Sequence, residues 1–315
     1  MNPKISVIIP TYYRNDLLPG AIESVAGQTY EPVELIVVDD SGEGHAEPVL
    51  NEYESVIDRA IIRDENGGWA AAYTTGIEAS TGEYIQFLDD DDRLLEGKLT
   101  KTAEILQEKP EVGVSYCGVL RGDEPKLPKP NVSGDILEPA LRFQTFPLWT
   151  ASMLMRREVL EDCLPLAGMG EDDDLDIELG DTDLKIELAK RTEFDYIDEC
   201  LAFYRQEGNE LWTGLRRLKK VKQNVEHQRE IYDQYPEIRR SLLSSWYERQ
   251  GNLWLEERPW SPRAILCFAK STYYADESRH LKAALTMASV FGRPGVRAAK
   301  SGREVVLSEP TANSG

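Results

Sequence analysis

Residues 84–92 read Tyr-Ile-Gln-Phe-Leu-Asp-Asp-Asp-Asp, an apolar, strand-length run that ends in four consecutive carboxylates. A fold cannot leave such a cluster in a dry core, because burying unpaired charge costs several kcal/mol or more. The run must be a strand whose carboxyl end opens onto solvent or a cation, the place where open α/β sheets bind their ligands. Hard oxygen donors suit Mg²⁺ or Mn²⁺, ions that keep waters and share phosphate oxygens. A solvated acidic loop is the plainer alternative in a chain with 56 acidic and 36 basic residues. Position argues against it, since the acids follow the strand directly and precede an amphipathic pattern of Leu94, Leu95, Leu99, Ala103 and Leu106.

The same punctuation recurs along the N-terminal half. Strand candidates at 4–10, 33–39, 60–63, 83–88 and 112–119 alternate with helical periods at 16–27, 46–56, 68–79 and 97–108. Alternation of this kind predicts an α/β fold of βαβ units around a mostly parallel sheet. Unbroken apolar strands predict helices on both faces. Between 121 and 150 the prolines at 125, 128, 130, 139 and 147 mark an irregular excursion. A strand at 150–156, a helical start at 157–163, an acidic loop at 170–181, a helix at 182–191 and a strand at 194–204 complete a first domain ending near residue 209. Residues 210–292 read as a C-terminal helical appendage, and 293–315 as a polar tail, disordered from about Ser301.

Composition excludes several classes. The 315 residues are 41% apolar, enough for a full core, and the net charge of −20 opposes nonspecific binding to nucleic acid. Such acidity is compatible with a high-salt cytosol, where screening shortens the range of repulsion. Cys117, Cys163, Cys200 and Cys267 are widely spaced and only three His are present, so neither a zinc site nor a redox pair is expected. The N-terminus enters a strand at once, and no apolar window reaches the ~18 residues of a membrane span. The expectation is a cytoplasmic protein.

Other strand ends carry chemistry too. The first closes in Pro10-Thr11-Tyr12-Tyr13-Arg14 and the second in Asp39-Asp40-Ser41-Gly42. Tyr12 could stack on a base while Asp39 accepts from a base N–H; the bland alternatives are a rim aromatic and a turn former. No G-x-x-x-x-G-K-[ST] loop is present, and Gly42-Glu43-Gly44 does not extend to a dinucleotide fingerprint. Asn66-Gly67-Gly68 before the 68–79 helix could bring backbone N–H groups to a phosphate, or could simply turn the chain.

In order, Ser6-Val7-Ile8-Ile9-Pro10-Thr11-Tyr12, Ile36 to Asp40, Asn66-x-Gly68, Gly82-Glu83-Tyr84, Leu88-Asp89-x-Asp91-Asp92, Gly180 to Leu184 and Leu201-Ala202-x-Tyr204-Arg205 resemble the family 2 glycosyltransferases. The resemblance covers about residues 4–206. It implies a GT-A fold, with a nucleotide-sugar half of about 1–120 and an acceptor half of about 121–209. It also implies a nucleotide-sugar donor, a saccharide or lipid-linked saccharide acceptor, Mg²⁺ or Mn²⁺, and inversion at the anomeric carbon. By position, Pro10, Thr11, Tyr12, Arg14, Asp39, Asn66, Gly68, Asp89 and Asp90 would serve the donor. Asp89 and Asp91 would meet the metal, Asp91 more directly, with Asp92, Asp183 and Arg205 accessory. Asp181 matches the catalytic base. Glycosyl transfer needs a neutralised diphosphate and a base for the acceptor hydroxyl, and two acid groups about 90 residues apart provide both.

The chain departs from the family pattern in three places. Ala72-Tyr73-Thr74 stands where Ala-Arg-Asn is common, so Arg14 or Arg63 would have to replace an arginine; Gln206 to Asn209 offer no histidine after Tyr204-Arg205, only Glu207; and Tyr13 replaces an asparagine. These departures keep open an inactive glycan-binding scaffold, and a sugar-phosphate nucleotidyltransferase shares the fold class. In the appendage, Arg216, Arg217, Lys219, Lys220 and Lys222 interleave with apolar residues at helical spacing. That run suggests peripheral contact with the inner face of the cell membrane, against the alternative of a packed surface helix.

Overall fold

The computed structural model describes residues 2–166, 180–205, 215–276 and 278–308. Contacts divide the chain into two compact units, Met1–Gly208 and Asn209–Gly315.

The first unit is a nine-stranded sheet with helices packed on it. In chain order the elements are β1 (Ile5–Thr11), α1 (Leu18–Ala26), β2 (Val33–Asp39), α2 (Glu47–Glu52), β3 (Arg59–Ile62), α3 (Gly68–Ala79), β4 (Tyr84–Phe87), β5 (Arg93–Leu94), α4 (Lys98–Glu108), β6 (Val112–Arg121), β7 (Glu124–Lys126), α5 (Leu137–Leu141), β8 (Met153–Arg156), α6 (Arg157–Glu161), α7 (Gly180–Ala189) and β9 (Glu193–Tyr204). Neighbours run β3-β2-β1-β4-β8-β6-β9-β5, with β7 beside β6. The first four strands are parallel, as the βαβ alternation requires. β8 is antiparallel to both β4 and β6, and β9 runs parallel to β6. This is the GT-A arrangement.

The apolar runs explain the layers. Ile5, Val7, Ile9 and Val37 are fully buried and pack with Leu18 and Ile22 of α1 and Leu99 and Leu106 of α4. On α3, Gly76 permits close approach to β1, because a Cβ there would run into Ile8 Cγ2. The expected strand at 150–156 begins only at Met153, since Thr150–Ser152 form a 3₁₀ turn in which Ser152 Oγ accepts from the Trp149 N–H. The two-residue β5 and the three-residue β7 carry too little pattern to be read from sequence. Of the expected acidic loop at 170–181, Gly180 and Asp181 instead open α7, and the rest lies outside the described residues.

The second unit contains α8 (Leu215–His227), α9 (Arg229–Gln234), α10 (Pro236–Glu257), α11 (Pro262–Tyr274), α12 (Arg279–Ser289) and α13 (Gly292–Ser308). Its core joins Leu255, Ala264, Phe268, Leu285 and Val296, with Trp254 and Ala299 against it. The Ser244 and Ser271 hydroxyls each donate at 2.8 Å to the other's carbonyl, tying α10 to α11. The polar tail expected from 293 is helical as far as Ser308. Val296 and Ala299 supply the apolar contacts that hold α13, a short stripe masked by the surrounding charge.

Candidate active site

The chain steps outward from β1 to β2 and β3, then returns to β4 on the other side of β1. That reversal opens a crevice at the carboxyl ends of β1 and β4, the usual ligand position in such sheets. Asp89 to Asp92 leave β4 on one side of it and Thr11 to Arg14 leave β1 on the other. The Thr11 hydroxyl donates to Asp90 at 2.8 Å, and Arg14 Nη1 donates to Asp91 at 2.8 Å and to Asp90 at 3.3 Å. From α3 the Tyr73 hydroxyl donates to Asp89 at 2.9 Å. At the end of β9 the Arg205 backbone N–H donates to Asp92 at 3.0 Å. Residues from three distant segments thus meet on one acidic tetrad.

The electrostatics of that tetrad are unfavourable as they stand. Burial, reinforced by neighbouring acids, pushes Asp89 up to about 7 despite the Tyr73 hydrogen bond. Burial also pushes Asp90 up to about 6, against the lowering effects of Thr11 and Arg14. Asp92, nearly fully buried, is pushed up to about 9 by burial and then by the charge of Asp89. The charge of Asp181 on α7 is among those that raise Asp89, so the two acids lie within electrostatic range of each other. Lys185, one helical turn along α7, donates to Asp181 at 2.6 Å, and Asp183 is buried beside it in sequence.

Among the described residues no three His, Cys, Asp or Glu side chains converge as a ready-made metal cage. The donor set still fits Mg²⁺ or Mn²⁺, which take one or two carboxylates and complete their shell with phosphate oxygens and water. The buried acids exceed the charge of Arg14, which pairs with Asp90 and Asp91, and this also favours a further cation.

On the β2 side the expected residues are placed differently from one another. Asp39 is fully buried, and its oxygens accept from the Ser41 N–H at 2.9 Å and the Ala46 N–H at 2.8 Å. It is a loop former here, although each oxygen retains a second lone pair. Pro10 lies in β1 opposite Val38. Tyr12 is 49% exposed and meets Tyr13 edge-on at 4.7 Å, leaving ring surface open to solvent. Gly67 and Gly68 donate their N–H groups to Asp40 at 3.1 and 2.8 Å, and Gly68 also donates to Asn66 Oδ1 at 2.9 Å. Those donors are engaged within the loop. Arg63 pairs with Asp40, so of the two arginines considered as replacements it is Arg14 that reaches the tetrad. Glu207 lies outside the described residues.

Sequence reasoning missed three contributors. Tyr73 marked only a missing arginine, yet its fully buried hydroxyl holds Asp89. Lys185 carried a usable signal, the i,i+4 spacing from Asp181. Trp149 stacks on Tyr204 at 5.0 Å with 12° between the rings, and Tyr204 is raised by burial and then by Asp92, Asp91 and Asp89. No local pattern couples residues 55 positions apart.

The family whose description is Glycosyl transferase family 2 matches residues 6–164. The chain belongs to glycosyltransferase family 2. A relative in Campylobacter jejuni, GalNAc(5)-diNAcBac-PP-undecaprenol beta-1,3-glucosyltransferase, is 36% identical over 101 residues, covering 31% of this chain and 33% of that protein. The chain spans from about a third to about half of the length of the first curated relatives it matches. Among solved structures, S. aureus TarS 1–349 in complex with UDP-GlcNAc matches with TM-score 0.60 at 15% identity, over 96% of this chain and 92% of that one. The mannosyltransferase PcManGT from Pyrobaculum calidifontis, in complex with GDP-Man and Mn²⁺, matches with TM-score 0.57 at 18% identity, over 98% and 89%. These structural likenesses show the fold, and they extend over nearly the whole chain.

Proposed function

We propose that this family 2 glycosyltransferase moves a sugar from a nucleotide diphosphate donor, a UDP-sugar, to a hydroxyl acceptor in glycan or glycolipid assembly, with inversion. The observation that carries this reading is the convergence of Thr11, Arg14, Tyr73 and the Arg205 N–H on the acid tetrad after β4, with Asp181 of α7 near enough for its charge to act on Asp89.

Asp89 and Asp91 would hold Mg²⁺ or Mn²⁺, which would neutralise the leaving diphosphate as a Lewis acid. Arg14, already on Asp90 and Asp91, adds a second positive group on the donor side. Thr11, Tyr12 and Asp39 line the nucleoside end, with Pro10, Asn66 and Gly68 shaping its walls and Asp90 facing the ribose or sugar. Asp181 takes the acceptor proton while Lys185 orients its carboxylate and Asp183 supports the helix start. Asp92 and Arg205 close the far side. Residues 1–120 thereby form the nucleotide-sugar half and 121–209 the acceptor half.

The UDP preference rests on the placing of Tyr12 and Asp39 at the ends of adjacent strands and is supported by the TarS complex; the mannosyltransferase neighbour holds GDP-Man. The Campylobacter relative acts on an undecaprenol diphosphate-linked saccharide, which supports a lipid-linked acceptor and a cytoplasmic protein working at the inner face of the membrane. No helix among the described residues is long and apolar enough to cross a membrane. Lys222 pairs with Glu226 at 3.2 Å and lies 5.9 Å from the Trp246 ring, inside its own unit, and the side chains of 216–220 lie outside the described residues.

The test is UDP release from a panel of UDP-sugars with Mn²⁺. Asp91→Ala should abolish metal-dependent turnover, and Asp181→Asn should lower kcat by about 10²–10⁴ with nucleotide binding retained. Full transfer by Asp181→Asn would remove the base assignment.

A further inference from the structure

The second unit contradicts the charge of the chain as a whole. Residues 258–303 carry nine Arg and Lys against two acids, Asp276 and Glu277, a net +7 within a chain of net −20. The same stretch gathers six of the eleven large apolar side chains exposed among the described residues. Four of them are brought together at the α12–α13 turn. Trp260 is 55% exposed, Met287 70%, Val290 49% and Phe291 77%. The Trp260 indole N–H donates to the Val290 carbonyl at 2.9 Å, and Arg293 N–H donates to the Pro259 carbonyl at 2.7 Å, so the 259–260 loop is fastened beside the turn. Met287 stands one helical turn before Phe291. Because the only polar atom of the indole is already satisfied, the ring offers apolar surface alone.

We propose that this patch docks the protein on an anionic lipid bilayer, with Trp260, Met287, Val290 and Phe291 entering the interface and the surrounding basic residues facing the headgroups. Exposed apolar patches rimmed by charge mark interaction surfaces, and aromatic rings with flanking Arg or Lys suit the interfacial zone. Charge complementarity selects the occupant. A second copy of this chain would bring the same positive face against itself, whereas anionic headgroups neutralise it. The net negative charge of the protein does not forbid approach, since at physiological ionic strength the Debye length is about 8 Å and a local positive face governs contact. Arg258 and Arg297 are both exposed; the nearest acids in sequence on the N-terminal side are Glu256 and Glu257, at the end of α10.

Cosedimentation of the full chain with phosphatidylcholine vesicles and with mixed phosphatidylcholine–phosphatidylglycerol vesicles tests the surface. Binding is expected to the mixed vesicles only, weakening with salt. The double variant Met287→Ser with Phe291→Ser should bind about tenfold or more weakly, and Arg258→Glu with Arg297→Glu should lose the anionic preference. Matching thermal melts would show that the variants fold. UDP release in solution should be unchanged in all of them, so failure of this surface and failure of the transferase reading are separable. The proposal is overturned if wild type ignores anionic vesicles, if the apolar double variant binds equally, or if the patch instead drives a concentration-dependent dimer that Phe291→Ser abolishes.

Discussion

The Thr11 hydroxyl donates to Asp90 at 2.8 Å across the crevice between β1 and β4, joining residues 79 positions apart. It is one of two partners that oppose the raising of Asp90 by burial; Arg14 is the other. Thr11→Val keeps the shape and removes the donor. Unfolding free energy at pH 8 should fall by about 1–3 kcal/mol, the range for leaving a buried charged acceptor short of a partner. Urea titration reads the loss, and Thr11→Ser should recover most of it.

Stability without metal should fall as pH rises through the range where the tetrad ionises. Asp90, Asp89 and Asp92 are raised to about 6, 7 and 9, above the ordinary carboxylate value of about 3.9 in an unfolded chain. The folded state holds protons that the unfolded state has released. The contribution is complete below about pH 4 and is lost through pH 6 to 9. Asp92→Asn, which mimics the protonated acid, should make the decline in melting temperature between pH 6 and 9 shallower than in wild type. An equal slope in the two proteins would count against the burial argument.

Lys98 predicts the opposite slope. It is fully buried, donates to the Gln86 side chain and lies 3.4 Å from the Met153 carbonyl, and burial pushes it down to about 7. An unfolded lysine keeps its proton to about 10.4, so stability rises with pH between about 7 and 10.4. The difference in unfolding free energy, wild type minus Lys98→Met, should therefore grow from pH 7 to pH 9.5 by chemical denaturation. At pH 7 the variant carries its own cost of about 1–3 kcal/mol, because the buried Gln86 carbonyl loses its donor.

Tyr13 sits at φ 54°, in the left-handed region, with its hydroxyl donating to Glu43 at 2.8 Å and its ring 4.5 Å from that of His45. Asparagine, the residue common at this position in the resembling family, tolerates that backbone better. Tyr13→Gly and Tyr13→Asn should be neutral or stabilising by up to about 1 kcal/mol, while Tyr13→Val should cost about 1–2 kcal/mol. Melting temperatures in that order support local strain; a stabilising valine excludes it.

The order of elements in the first unit was legible because its strands are continuous apolar runs separated by turn residues, and that pattern depends only on neighbours in sequence. Leu88 to Asp92 marked a strand end for the same reason, but the expected opening onto solvent is not what the fold provides: Asp90 and Asp92 are buried and held by Thr11, Arg14 and the Arg205 N–H. The partners of those acids were not legible. Tyr73 reaches Asp89 because α3 crosses β1 over Gly76, and the charge of Asp181 acts on the same carboxylate only once α7 is placed against the sheet. In the second unit, charge masked both the Val296–Ala299 contacts that make α13 a packed helix and the apolar patch at Phe291. Sequence alone determined which segments could be strands and where one of them runs into acids, since those are short-range consequences of apolar patterning. Which distant groups share one field was decided only by tertiary structure, because electrostatic and hydrogen-bond coupling depends on distance in space, not on separation along the chain.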